Sequence, residues 1–107
     1  MSEDRCAVVM TTTGSEQEAK KITESLLEKR LAACIQQVNV SSHYIWENKI
    51  CNNSEILLLI KCKASLYRQI EKAIEADHSY EVPEIICVPV TDGFSPYLNW
   101  IDEVSAM

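Results

Sequence analysis

The chain has 107 residues, 47% of them hydrophobic and 24% charged, with a net charge of −6. That length suits one domain, residues 1–107, and the acidic balance argues against a nucleic-acid partner, which would need a basic stripe. No apolar run reaches the roughly 18 residues of a membrane span, and MSEDRCAVVM has acids where a secretory signal would be basic.

Cys6 to Thr12 is a short apolar run rich in β-branched residues and predicts a buried strand ended by Gly14. Ser15 followed by Glu18 fits a capping box, in which hydroxyl and carboxylate each satisfy a free N–H at a helix start. Ala19, Ile22, Leu26 and Leu27 then recur at helical spacing, predicting a helix from about Glu16 to Arg30. Ala33 to Trp46 reads as a long strand, with Val38, Val40, Ser42, Tyr44 and Trp46 on one largely apolar face. Glu47 to Lys49 and Asn52 to Ser54 are both candidate turns, because Asn tolerates left-handed backbone.

Ile56 to Ile60 predicts a third strand, apolar on both faces. Ser65 is placed to cap a second helix, with Leu66, Ile70, Ala73 and Ile74 as its buried stripe. That helix must stop before HSYEVPE, because Pro83 drives Val82 out of the α region. Ile85 to Val90 predicts the fourth strand. Asp92 to Phe94 then turns, and Ser95 with Pro96 is a cap-and-first-position pair for a last short helix.

The five cysteines, Cys6, Cys34, Cys51, Cys62 and Cys87, are odd in number and form no C-x-x-C pair. They read as free, mostly buried thiols in a reducing compartment, which places the protein in the cytoplasm. The paired spacing of a structural zinc site is missing.

The order β-α-β-β-α-β with a terminal helix is the α+β, ferredoxin-like pattern: two helices on one face of a four-stranded antiparallel sheet. Its second and fourth strands lie at the edges, and Pro89 suits an edge. Strand four, IICVPV, is apolar on both faces, and strand two ends in HYIW. Long greasy edges aggregate unless covered, so the sequence predicts a closed homo-oligomer whose edges are sheltered between chains. The alternative is a last helix that folds back and covers them within one chain.

Five segments together resemble one family, the CutA divalent-cation tolerance proteins. They are LEKRLAACIQQV (Leu27 to Val38), SSHYIWENKI (Ser41 to Ile50), EILLLIKC (Glu55 to Cys62), HSYEVPEIICVPVTDG (His78 to Gly93) and YLNWI (Tyr97 to Ile101). The resemblance implies a homotrimer with strands shared across subunit boundaries. It also implies kinship with the PII signalling proteins, whose ligands sit between subunits, and an association with copper and other divalent metals. The chain departs from the family pattern at Ser79, where proline is usual, and at Asn48, where glycine is usual. It lacks a Pro-Gly in strand two, which should therefore run straighter. Thr11 stands where some members have a cysteine proposed as a copper ligand.

Against that background, Cys34 is a thiolate ligand for copper or a small buried hydrophobe. His78 is an imidazole ligand for copper or zinc, or a cap on the last helical carbonyls. Glu81 and Glu84 add carboxylates beside it, or are a solvated charge and a partner for Lys61 respectively. Tyr80 lies among them, and the whole group faces the expected subunit boundary. Tyr44, Trp46, Tyr97 and Trp100 are expected interface anchors, and Lys61 an inter-chain salt-bridge partner or anion contact. The expected function is a thermostable, non-enzymatic trimer that binds copper or another divalent cation. A protein adaptor and a PII-like small-molecule sensor are the alternatives.

Overall fold

The computed structural model describes residues 5–105; the acidic start at residues 1–4, read above against a secretory signal, lies outside them. In chain order the elements are β1 (Cys6–Thr13), α1 (Glu16–Glu28), β2 (Cys34–Trp46), β3 (Lys49–Lys63), α2 (Tyr67–Asp77), β4 (Ile85–Pro89) and α3 (Ser95–Val104). The strands form one antiparallel sheet in the order β2-β3-β1-β4, so β2 and β4 are the edges. Pro89 sits on the outer strand opposite Ala7, where its missing N–H breaks no ladder. No helix among the described residues is long and apolar enough to cross a membrane.

Alternation along the strands divides the sheet into two faces. Ala7 and Val9 of β1 and Ile56, Leu58, Ile60 and Cys62 of β3 are buried against Ala19, Ile22 and Leu26 of α1 and Ile70 and Ile74 of α2. Each such aliphatic side chain removed from water contributes about 1.5–3 kcal/mol, so this layer is the main stabilising core. The opposite face is partly covered by α3, which buries Ile101 and pairs Asp102 with Lys63 at 3.6 Å. On that face Val38, Ile86 and Val88 stay exposed.

Helix α1 ends in a Schellman motif. Leu31 N–H bonds Leu26 C=O at 3.0 Å, Arg30 N–H bonds Leu27 C=O at 3.1 Å, and Arg30 takes the left-handed φ of 59°. Its N-cap half matches expectation, since Ser15 Oγ accepts from Glu18 N–H at 3.2 Å. The reciprocal half does not form; the Glu18 carboxylate turns to the α2–β4 linker instead.

Three boundaries differ from the sequence reading. The Asn52–Ser54 segment is not a turn: β3 runs through it, and the only reversal is at Glu47 and Asn48, with φ of 50° and 64°. Two left-handed residues make the two-residue hairpin turn whose twist suits flanking strands. Helix α2 is preceded by a 3₁₀ turn over Ala64–Leu66 and has Leu66, not Ser65, at its N-cap position. Phe94 takes the N-cap position of α3, so Ser95 and Pro96 move one step inside. The thiols are also less buried than expected: Cys62 is buried, Cys87 is exposed, and no disulfide joins any pair.

The long β3 has a structural consequence. Pairing with β1 stops at Ile56 opposite Thr13, while pairing with β2 continues from Val40–Glu55 to Trp46–Lys49. Beyond the sheet the hairpin is therefore a two-stranded arm, and the described chain measures 49 × 26 × 21 Å. The β2–β3 register is continuous, with no bulge, as the missing Pro-Gly led one to expect. Tyr44 and Trp46 share the arm face that continues the exposed sheet face, and Ile45 and Ile50 lie on the other, 76% and 86% exposed.

Candidate functional site

The α2–β4 linker crosses the end of the sheet where β1 stops and the arm begins. His78 follows α2 in extended backbone, and its side chain is only 1% exposed. Its Nε2 lies 2.7 Å from the Thr12 carbonyl, which can only accept. Its Nδ1 accepts the Tyr80 N–H at 3.1 Å. A neutral ring with its proton on Nε2 satisfies both of these bonds. Glu18 Oε1 sits 3.2 Å from Nδ1 and also accepts the Ser79 N–H at 3.3 Å. Thus β1, α1 and the linker are joined at one imidazole.

Tyr80 packs its ring 4.8 Å from that of His78 and donates from its hydroxyl to Glu55 Oε2 at 2.6 Å. A Cβ on Gly14 would stand 3.0 Å from the same hydroxyl, so glycine is what admits the tyrosine here. Burial, then the bond to Glu55, holds the Tyr80 phenol well above its ordinary range, so it remains a donor. Glu55 is almost buried at the base of the arm. Glu84, open to solvent on one side, has its carboxyl pushed up by partial burial and then by the charge of Glu55. Glu81 is exposed, with no hydrogen bond or ion pair among the described residues.

Cys34 lies elsewhere. It opens β2 opposite Lys61, which pairs with Val8, whereas His78 binds Thr12, four residues farther along β1. That is about 13 Å of strand, so one chain does not bring Cys34 to His78. Glu84 does not partner Lys61 either. Lys61 donates to Gln36 Oε1 at 2.8 Å and lies 5.8 Å from the centre of the Tyr97 ring. Tyr97 stacks with Trp100 at 5.8 Å, forming a separate corner with Cys34 and Lys61. Tyr44 accepts from Asn53 on the arm.

Among the described residues no group of three or more His, Cys, Asp or Glu side chains could hold a metal ion. Within one chain the donors on offer near the linker are the carboxylates of Glu55, Glu81 and Glu84, suited to hard or borderline cations; both His78 nitrogens are already engaged. Sequence reasoning missed Glu55 and Glu18. The signal for Glu55 was present: period two places it on the same face as Leu57 and Leu59, an acid on an apolar stripe. For Glu18 the capping box offered a sufficient local partner and hid the distant one.

Residues 7–104 match the family model described as CutA1 divalent ion tolerance protein. The mouse protein named Protein CutA is 38% identical over 100 residues, covering 92% of this chain and 56% of the mouse protein. The chain thus spans about half the length of that relative. The Divalent-cation tolerance protein CutA of Thermus thermophilus is 37% identical over 97 residues, 90% of this chain and 94% of its own. The crystal structure of CutA1 from the psychrotrophic bacterium Shewanella sp. SIB1 superposes with a TM-score of 0.91 at 38% identity, covering 99% of this chain and all of that one. With the sheet order, the linker and the arm in place, the chain belongs to the CutA1 divalent ion tolerance family.

Proposed function

We propose that the protein is a homotrimeric binder of divalent cations, copper among them, with a role in tolerance or homeostasis rather than catalysis, and that it works in the cytoplasm. The observation that carries this reading is that the Glu84 carboxyl, raised first by partial burial, also feels the negative charge of Glu55 at the base of the arm. A carboxyl raised by a neighbouring negative charge gains from a cation bound beside it. A single chain supplies too few donors, so Glu81 and Cys34 contribute only where a neighbouring subunit brings its own copies to this boundary, and His78 joins them only by giving up its bond to Thr12 or to Tyr80. The unsupported arm and the exposed face of Val38, Ile86 and Val88 favour such neighbours. Tyr44, Trp46, Lys61, Tyr80, Tyr97 and Trp100 are assigned to that contact.

Calorimetric titration with Cu(II) and Zn(II) tests it on the wild type, Glu84→Gln and His78→Ala. Binding stronger than about −4 kcal/mol, a millimolar Kd, that weakens in Glu84→Gln supports the reading; weaker binding in all three removes metal as the function. An adaptor role is the second reading, favoured by the outward Ile45 and Ile50. It would leave metal affinity negligible while a partner protein is lost on Ile50→Ser.

A further inference from the structure

The loop between β4 and α3 holds an Asp-Gly pair in a particular arrangement. The Gly93 N–H donates to the side-chain Oδ1 of the preceding Asp92 at 2.9 Å. The carboxyl carbon lies one C–O bond from that oxygen, so the backbone nitrogen and its intramolecular electrophile are held side by side. Both residues are exposed. Gly93 has no Cβ to obstruct the approach. The other described aspartates are placed differently. Asp77 ends α2, is ion-paired to Lys21 at 3.6 Å, and precedes an amide bonded to Glu75 C=O. Asp102 lies inside α3 and pairs with Lys63.

We propose that Asp92–Gly93 is a site of spontaneous isomerisation in the folded protein. From the protonated Asp92 carboxyl, the Gly93 nitrogen bonds to Cγ and gives up its proton, the C–OH bond breaks, and the hydroxyl leaves with that proton as water, closing a succinimide. Water then adds at either ring carbonyl. Opening at one restores aspartate; opening at the other gives isoaspartate, with the chain routed through the side chain and a free α-carboxylate. No oxidant, reductant or cofactor enters.

The product would act on α3. The Phe94 carbonyl, one residue on, accepts the N–H groups of Tyr97 at 3.0 Å and Leu98 at 3.1 Å, forming the first turn. A Cβ on Gly93 would stand 3.2 Å from the Leu98 methyls, so the loop packs directly on the helix. An extra methylene in the backbone displaces that contact and loosens the helix that covers Cys6 and Lys63.

The wild-type protein is held folded in warm neutral buffer over weeks, and isoaspartate is read by enzymatic methyl esterification and peptide mapping. Isoaspartate at Asp92 is expected to exceed that at Asp77 and Asp102 by roughly tenfold or more. Asp92→Glu, whose ring would be one atom larger, is expected to abolish that signal while circular dichroism reports a folded chain. Asp92→Asn is expected to acquire acid faster than the wild type isomerises. Isoaspartate at Asp92 no higher than at Asp102, or an undiminished signal from the same peptide in Asp92→Glu, overturns the proposal.

Discussion

The hydroxyl of Tyr80 donates to Glu55 at 2.6 Å, tying the α2–β4 linker to the base of the β2–β3 arm. The bond joins residues 25 apart in sequence, and it gives a nearly buried carboxylate its hydrogen-bond donor. Tyr80→Phe keeps the ring and removes that donor. Leaving a buried charged acceptor short of a partner costs about 1–3 kcal/mol. Chemical denaturation should show the midpoint falling accordingly with the slope preserved, and an unaltered midpoint would mean that Glu55 is solvated from elsewhere.

Glu84 gives a pH dependence of defined sign. Its carboxyl titrates above the ordinary value of 4.5 in the fold, because of partial burial and then Glu55. Between 4.5 and the raised native value the folded chain holds more protons than the unfolded one, so this group's contribution to stability falls as pH rises through that window. Glu84→Gln should therefore be more stable than wild type at neutral pH, with the gap closing below the unfolded value. Thermal melts of both proteins across that range check it; a gap that widens in acid reverses the assigned cause.

Thr11 is fully buried on the helix-facing side of β1, and its hydroxyl finds no hydrogen-bond partner among the described residues. Valine has nearly the same shape without the polar atom. Thr11→Val is expected to stabilise the fold by about 1 kcal/mol, because an unpaired buried hydroxyl is a net cost. A lower denaturation midpoint in Thr11→Val would reveal a polar partner for that hydroxyl.

Trp46 tests the assembly. It lies on the arm face that continues the exposed sheet face, 42% exposed in the lone subunit. If it anchors a neighbour, Trp46→Ala should weaken each contact by about 2 kcal/mol or more. Sedimentation of a dilution series should then show the variant dissociating where the wild type does not. Identical mass at every dilution would remove Trp46 from the interface.

The sequence carried the element order, both edge strands and the helical core faces, because period and capping are local. Ala19, Ile22, Leu26, Ile70 and Ile74 are buried as their spacing required. It did not carry the length of β3. The polar run Asn52–Asn53–Ser54 has turn composition, and only its pairing with Ser41, Ser42 and His43 makes it strand. At the site, local pattern located His78 and Tyr80. The contacts that define their roles, to Thr12, Glu18 and Glu55, join segments far apart in the chain. Within one chain the β-sheet register separates Cys34 from His78, so their expected grouping needs a second chain.

The arm gives the molecule a readable signature of company. Among the described residues, rungs from Ser41–Ser54 outward have hydrogen-bond partners in one another alone, and such a ribbon opens readily in water. Amide protons from Ser42 to Asn53 should therefore swap with deuterium quickly in a solitary chain and slowly in an associated one. A protease given both populations would nick the solitary one first, near the Glu47–Asn48 reversal, turning the arm into a natural reporter of association.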